Sequence, residues 1–543
     1  MSDITLYDCT CRDGAQAEGV SFSLQDKMDI ARKLDALGIH YVEGGYPLSN
    51  EKDMAFFKAI REAPLRCARV SAFGSTRRAR RKAEDDPGLA ALVEAATPAV
   101  ALVGKCWDLH VREVLRVSLE ENLAMIADSV RYMKSKGVEV FFDAEHFFDG
   151  YKENPAYAMK TILAARDAGA DALVLCDTNG GSLPFEVLEI TGAVVKEIGG
   201  TIGFHGHNDS GCGVANTLAA VRAGATHVQG TVNGIGERTG NADLCQIVAN
   251  LELKLGKRCL PSGNLARLTE VSRFVSEVAN MPPNDSQPYV GLHAFSHKGG
   301  LHVDAVRKNP RTYEHVRPEA VGNERRILLS ELSGSATVLA KMEKYRLAHD
   351  PDLVKKVLKE LQRLENIGYQ FEAAEGSFAL LVRRILGSER KFFELKGFRV
   401  IVEKRGPKGE PVTEATIKVE VGGAEELTAA EGDGPVNALD RALRKALERF
   451  YPSLKEMHLV DYKVRVINPA AATGARVRVV IESRDKDSIW GTVGVSENLL
   501  EASWQALVDS VVYKLSKDEE RGETALPSPR GVASPPGARF PAP

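Results

Sequence analysis

The sequence predicts an α/β protein with a (β/α)8 TIM barrel, followed by a helical linker region and a C-terminal α+β domain. Strand-like and helix-like segments alternate over about the first 255 of the 543 residues. Eight of these segments are typical of strands, which matches the strand number and length of such a barrel. Polar residues follow most of the strands. A doubly wound sheet would also fit the alternation, but no Gly-rich phosphate loop follows the first strand.

Short apolar runs mark the expected barrel strands, and helical patterns separate most of them. The clearest helices are expected at Ser21–Leu37 and Leu119–Lys136. Ser23 with Asp26 resembles an N-terminal cap of the first helix, and Ser118 with Glu121 resembles a capping box for the second. The strands are expected at Ile4–Thr10, His40–Gly44, Arg69–Phe73, Val100–Cys106, Val138–Ala144, Ala172–Asp177, Thr201–His207 and His227–Val232.

The pattern becomes helical beyond the barrel. It stays helical from Leu268 to Leu386, with breaks at Met281–Pro288 and around Gly334. Asp352–Asn366 has the apolar spacing of an amphipathic helix. These changes predict four regions: the barrel at residues 1–267, the linker region at 268–390, the C-terminal domain at 391–516 and a tail at 517–543.

The C-terminal domain is predicted to contain two strand pairs, each followed by a helix, which indicates a duplicated α+β module. The expected strands are Phe398–Glu403, Ala415–Val421, Leu459–Val466 and Ala475–Glu482, and the expected helices are Val436–Phe450 and Ala502–Leu515. The tail segment Leu526–Pro543 is rich in Pro, Gly, Ser and Ala, so we expect it to be disordered.

Composition and charge are those of an ordinary soluble protein. The net charge is −3, and no apolar stretch reaches the length of a membrane span, so neither nucleic acid nor membrane is an expected partner. The eight cysteines show no CxxC spacing and the start resembles no signal peptide, which predicts free thiols in the cytoplasm. The basic run at residues 77–82 is expected to be a solvated helix face rather than an anion site.

The polar residues that follow the strands predict a site at the C-terminal face of the barrel. His205 and His207 are two apart on an extended strand, so both imidazoles should project to the same side. Asp13 and Asn241 could add oxygen ligands from neighbouring strand ends, and such mixed ligation suits Mg²⁺, Mn²⁺ or Zn²⁺. Two hydrogen-bonded histidines in a polar barrel mouth are the alternative, because an isolated His-x-His is a weak signal.

Three motifs occur in a fixed order: LYDCTCRDGAQ from Leu6, HGHND from His205 and GIGERTGNA from Gly234. With them, residues 4 to about 515 resemble the 2-isopropylmalate, homocitrate and citramalate synthase family, Claisen-condensing members of the DRE-type TIM-barrel metal enzymes. Within that family, Phe142–Pro155, Cys176–Gly181 and Thr492–Leu507 are most similar to the branch that uses pyruvate. Cys9 and Cys11 depart from the usual Thr and Leu, which affects only local packing.

The resemblance implies an acyltransferase that condenses acetyl-CoA with a small 2-oxo acid in isoleucine biosynthesis. Pyruvate is the acceptor that we expect. The implied metal ligands are Asp13, His205, His207 and Asn241. Arg12 would donate to the keto oxygen and stabilise the developing alkoxide, while Thr178 would hold the acceptor carboxylate. The alternative for Arg12 is a structural ion pair with Asp8, Asp13 or Glu43.

The resemblance also implies how a proton leaves the methyl group of acetyl-CoA. Phe295–Asp304 is similar to the mobile segment that, in relatives, reaches the active site of the partner subunit, so a homodimer is expected. His302 is then the proton-transfer candidate, with Glu145 orienting it or sharing the base role and Tyr313 assisting. His297 is its nearest competitor.

The C-terminal domain resembles the regulatory domain of this family, which binds an end-product amino acid as a feedback effector at a dimer interface. Three alternatives stay open: a 2-isopropylmalate synthase using 2-oxoisovalerate, a 3-hydroxyacyl-CoA lyase of the same superfamily, and a non-catalytic amino-acid sensor. A lyase would not need residues 390–515, and a sensor would not need Arg12, Asp13 and the paired histidines.

Overall fold

The computed structural model describes residues 3–328, 338, 342, 351–404, 406, 410–467 and 475–522. The chain divides into two compact units. The first comprises Met1–Ser296 with Glu314–Arg326, and the second comprises His297–Tyr313 with Ile327–Pro543.

The first unit is built on a closed barrel of eight parallel strands, paired in the order β1 to β8. The strands are β1 Thr5–Asp8, β2 Tyr41–Gly45, β3 Arg69–Ser75, β4 Ala99–Lys105, β5 Glu139–Glu145, β6 Ala172–Asp177, β7 Ile202–Gly206 and β8 His227–Gly230. Because β1 pairs with both β2 and β8, the sheet has no free edge. The predicted barrel and its eight strands are confirmed, with bounds shifted by a few residues.

The first strand ends earlier than the apolar run predicted. Beyond Asp8 the chain turns at once, because the carbonyl oxygen of Cys9 accepts the N–H groups of Arg12, Asp13 and Gly14 at 3.1, 2.9 and 3.1 Å. Arg12 and Asp13 therefore lie on a compact turn at the C-terminal end of β1, where a barrel places its functional side chains.

The principal helices of the first unit are Leu24–Leu37, Glu51–Glu62, Pro87–Ala95, Leu119–Ser135, Phe147–Glu153, Pro155–Asp167, Pro184–Ile198, Gly213–Ala223, Leu244–Leu253 and Leu268–Val278. Ser23 and Asp26 form the complete predicted capping box. Only half of the second box forms. Ser118 accepts the N–H of Glu121 at 3.1 Å, but the Glu121 carboxylate accepts from Arg77 instead of returning to the cap.

Aromatic side chains fill one end of the barrel. The ring of Phe141 packs edge-on against those of Tyr7 and Tyr41, with centroids 5.7 and 4.9 Å apart, and lies 5.0 Å from the His227 ring. Tyr41 and His227 are the first residues of β2 and β8, so this layer closes the N-terminal end. The barrel is thus a packed core that leaves only its opposite end for a cavity.

The second unit contains two three-stranded antiparallel sheets. Their strands are β11 Glu394–Glu403, β12 Val412–Val421 and β13 Ala424–Gly432, then β14 His458–Val466, β15 Val477–Arg484 and β16 Ile489–Ser496, which follow the short strands β9 Ser296–His297 and β10 Arg326–Ile327. Its described helices include Gly300–Lys308, Pro351–Asn366, Glu375–Ile385, Pro435–Leu447 and Leu499–Glu520. The duplication is confirmed, but the prediction of strand pairs is wrong. Ala and Glu dominate β13 and two glycines interrupt β16, so neither third strand has a strong strand pattern.

The helix Leu499–Glu520 continues past the boundary that the sequence suggested at residue 516. The predicted break around Gly334 and the predicted disordered segment Leu526–Pro543 lie outside the described residues. In the described part of the chain, no helix combines the length and apolar character needed to cross a bilayer.

Candidate active site

A cavity of about 620 Å³ opens at the C-terminal ends of the barrel strands. It is lined by six residues that the sequence singled out: Arg12, Asp13, Glu145, Thr178, His205 and His207. Asn241 contacts this group, because its amide nitrogen donates to Asp13 Oδ1 at 3.2 Å. Residues at or after the ends of five strands, β1, β5, β6, β7 and β8, are therefore brought to a single site.

Three cavity residues offer atoms that one ion could reach. Asp13, His205 and His207 each present a ligand atom within 4.8 Å of the other two, and all three residues are buried. The two imidazole rings lie with centroids 5.3 Å apart, in agreement with the same-side prediction. Two nitrogens and a carboxylate facing a cavity are typical of a catalytic divalent-metal site.

Buried polar atoms without partners mark the same place. Among the described residues, Asn241 Oδ1 and His207 Nδ1 are buried and have no hydrogen-bond partner. Leaving such atoms unsatisfied costs free energy, which a ligated cation would recover. His205 Nδ1 lies 3.0 Å from Gln229 Oε1, so a proton on Nδ1 leaves Nε2 free as a ligand. The donor set therefore fits a divalent ion.

The charges in the site favour ligation at neutral pH. Burial opposes ionisation of Asp13, but the charges of Arg12 and the two histidines outweigh it and lower the pKa of Asp13 to about 2. Burial lowers the pKa of His205 to about 3 and also lowers that of His207. A charged carboxylate and neutral imidazoles are the forms that bind metal, so at neutral pH no proton has to leave first.

Arg12 is held rigidly at the cavity wall. Its Nε donates to Glu43 Oε2 at 2.6 Å, its Nη1 donates to Asp13 Oδ2 at 3.0 Å, and its guanidinium lies 3.9 Å from the Phe73 ring centroid. The ion pairs with Glu43 and Asp13 that the sequence suggested as an alternative do form, and they use only Nε and Nη1 of Arg12. Asp8 takes no part, since its carboxylate accepts from Thr10. Among the described residues, Arg12 Nη2 has no partner and is left to donate elsewhere.

Two further cavity residues are oriented by neighbours. Thr178 Oγ1 accepts the N–H of His146 at 2.9 Å, which leaves the hydroxyl hydrogen of Thr178 free to donate. His146 adopts a left-handed backbone conformation at φ 56°, a strain that fits a functional turn. Glu145 forms an ion pair with Lys105, so its carboxylate is fixed beside the cavity.

Sequence reasoning missed the role of Gln229. This buried residue of β8 joins two cavity residues, since its Oε1 contacts His205 Nδ1 and its Nε2 donates to Asp143 Oδ1 at 3.0 Å. Burial, reinforced by the charge of Glu43, raises the pKa of Asp143 to about 8. A glutamine within a strand that is otherwise expected to be buried could have indicated a polar contact inside the barrel. Nothing in the sequence showed that it would meet His205.

His302 and Tyr313 lie in the second unit. Their rings contact each other, with centroids 4.2 Å apart, and Tyr313 is 50% exposed. His297, the competing histidine, lies on the short strand β9. The pairing of His302 with Tyr313 agrees with a shared task, and their action at the barrel cavity stays a prediction.

The basic run at residues 77–82 is not a solvated helix face, and that prediction is wrong. No helix forms there, and Arg77 is only 5% exposed. Arg77 is drawn inward because Glu121 and Asp128, on the helix Leu119–Ser135, bind its guanidinium at 2.9–3.0 Å. Arg77 and Arg78 also line the cavity.

Family models match the chain along most of its length. Residues 3–275 match the HMGL-like model, residues 289–368 match the homocitrate synthase post-HMGL domain-like model, and residues 372–515 match the LeuA allosteric (dimerisation) domain. The fold and the site thus define an HMGL-like barrel enzyme that carries a LeuA-type C-terminal domain.

Relatives that match nearly the whole chain show which family within this class it belongs to. The chain is 56% identical over 522 residues to the (R)-citramalate synthase of Geobacter sulfurreducens, covering 96% of this chain and 99% of that protein. It is 54% identical, with the same coverage, to the (R)-citramalate synthase of Aquifex aeolicus. The "Probable 2-isopropylmalate synthase" of Methanopyrus kandleri is 32% identical over 514 residues, covering 94% and 97%. The chain belongs to the (R)-citramalate synthase family of acyltransferases.

Proposed function

We propose that this protein condenses acetyl-CoA with pyruvate and water to give (R)-citramalate and CoA, a step toward isoleucine. The observation that carries the proposal is the meeting of Arg12, Asp13, His205 and His207 at one barrel mouth, in a chain of this family. A lyase would account for the barrel alone, and an amino-acid sensor would account for the C-terminal domain alone. The synthase accounts for both.

Different cavity residues bind different parts of the acceptor. Asp13, His205, His207 and Asn241 would hold the ion, for which we propose Mg²⁺, Mn²⁺ or Zn²⁺, and the bound ion supplies Lewis-acid polarisation of a carbonyl. Arg12 donates from Nη2 to the keto oxygen and remains charged as negative charge develops there. Thr178 donates its hydroxyl hydrogen to the acceptor carboxylate.

The methyl proton of acetyl-CoA needs a base. We assign this transfer to His302, with Glu145 orienting it or sharing the base role and Tyr313 assisting. An imidazole suits proton transfer near neutrality, and the ring contact between His302 and Tyr313 supports their joint action. The ion pair with Lys105 keeps Glu145 in place for the same task.

Pyruvate is expected to be preferred over 2-oxoisovalerate and 2-oxoglutarate. The measurement is CoA release with acetyl-CoA and each keto acid in turn, compared as kcat/KM. Discrimination by one methylene-sized group is typically worth about 1–3 kcal/mol, or about 10- to 200-fold, and a clash with the branched acid adds to it. A higher kcat/KM for 2-oxoisovalerate would move the assignment to 2-isopropylmalate synthase. Cleavage of a 3-hydroxyacyl thioester without condensation would indicate a lyase.

We further propose a homodimer whose active sites are completed across subunits. The LeuA allosteric (dimerisation) model at residues 372–515 supports the dimer, and the position of His302 outside the barrel sequence supports sharing. Mixing inactive Arg12→Ala and inactive His302→Ala subunits should restore one site in each heterodimer, giving about a quarter of parental activity after random exchange. Mixed subunits that remain inactive after confirmed exchange would contradict sharing.

An amino-acid effector is proposed for the second unit. A cavity of about 700 Å³ lies between the start of the helix Pro435–Leu447 and β14, and Val436, Met457 and Leu459 give it an apolar wall. Asp440 and Arg444 line the cavity but pair with each other at 3.0 Å, whereas Lys455 has no carboxylate partner among the described residues and is available to hold a carboxylate. Titration of isoleucine, leucine and valine into the full-length protein tests this proposal, which the absence of any binding would refute.

A further inference from the structure

The arginine and lysine side chains that line the barrel cavity differ in whether a carboxylate pairs with them. Arg12 is bound by Asp13 and Glu43, Arg77 by Glu121 and Asp128, Lys105 by Glu145, and Arg238 by Asp209. Arg78 also lines this cavity and is exposed. Among the described residues, no carboxylate pairs with its guanidinium, so Arg78 brings an uncompensated positive charge to the cavity.

The backbone of Arg78 is fixed although its side chain is free. Its N–H donates to Asp86 Oδ2 at 2.9 Å, and its carbonyl oxygen accepts from Arg77 Nη1 at 3.3 Å. Asp86 in turn caps the helix Pro87–Ala95, and the Arg77 N–H donates to Ser129 Oγ at 2.8 Å. These bonds fix the backbone from which the Arg78 side chain reaches the cavity. Because Arg78 lines the cavity and has no carboxylate partner among the described residues, its guanidinium is available to an anionic ligand there.

We propose that Arg78 binds a phosphate group of the coenzyme A moiety of the acyl donor. This inference rests on the proposed function. The reacting thioester end of acetyl-CoA is uncharged and must lie beside Arg12, whereas the opposite end carries all the phosphates. A guanidinium matches a phosphate in shape and charge, and its five N–H donors permit bidentate binding. The small acceptor already has partners in Arg12 and Thr178, so Arg78 is left for the donor.

Truncated donors give the test. Arg78→Ala should raise the KM for acetyl-CoA by on the order of tenfold or more, with little change in kcat, because a remote phosphate contact is made equally in the ground and transition states. With S-acetylpantetheine, which has no phosphoester at the contact, variant and parent should agree. 3′-Dephospho-acetyl-CoA then distinguishes the 3′-phosphate from the diphosphate. The KM for pyruvate should not change.

Lys82→Ala is the matched control, since Lys82 is an exposed cation of the same loop that does not line the cavity. An equal loss with acetyl-CoA and S-acetylpantetheine would make Arg78 structural, and a raised KM for pyruvate would assign it to the acceptor. Either result overturns the inference. If the parent did not turn over acetyl-CoA, the proposed function would fail. Titration of free CoA into parent and Arg78→Ala would still test the contact, which equal affinities would refute.

Discussion

Arg12→Lys is expected to lower kcat by about a hundredfold or more while preserving the fold. Arg12 uses Nε and Nη1 to bind Glu43 and Asp13, and only the remaining nitrogen can donate to a developing oxyanion. A lysine keeps the charge but has a single nitrogen, which cannot satisfy Glu43, Asp13 and the substrate in the same geometry. Loss of one preorganised oxyanion donor typically costs about 100- to 1,000-fold in kcat.

Steady-state rates with saturating pyruvate and acetyl-CoA provide the measurement. Arg32→Lys is the control for the same replacement, because Arg32 is a solvent-exposed residue whose ion pair with Asp29 lies at the surface. That variant should match the parent. Turnover of Arg12→Lys within a few-fold of the parent would mean that Arg12 serves only its ion pairs.

His207→Ala is expected to lose bound metal and turnover together. Its imidazole is buried beside Asp13 and His205, and its Nδ1 has no hydrogen-bond partner among the described residues. Loss of a residue that only supports a metal ligand typically lowers metal affinity about 10- to 100-fold. Loss of a ligand itself should cost more, so we expect metal affinity to fall by about a hundredfold or more. Metal content after dialysis, measured by mass spectrometry, should fall with activity.

The parent supplies the complementary test. Chelation should abolish its turnover, and readdition of Mg²⁺, Mn²⁺ or Zn²⁺ in turn should identify the ions that restore it. His293→Ala, which removes an exposed histidine of the same unit, should retain both metal and activity. Full turnover by metal-free His207→Ala protein would end the metal proposal.

The strands of the barrel and the position of its site were predictable because both depend on local patterns. Apolar runs such as Ala172–Asp177 record burial on both faces of a parallel strand, and that prediction matches β6 residue for residue. Polar residues that directly follow the strands show where the functional face lies. The weak pattern of Ala424–Gly432 shows the limit, because an Ala- and Glu-rich strand is held by its neighbour β12 rather than by its own propensity.

The sequence by itself therefore determined the barrel, the family resemblance and the grouping of Arg12, Asp13, His205 and His207. Only the tertiary structure decided which partners orient these groups. Gln229 contacts His205 and Asp143 inside the closed barrel. Arg77, which was predicted to be solvated, is instead buried against two carboxylates on a helix more than 40 residues further along the chain. Such pairings join residues that are far apart in the sequence and become neighbours only when the sheet closes. The local periodicity of the chain reports burial and secondary structure, and it carries no information on which distant residues will meet.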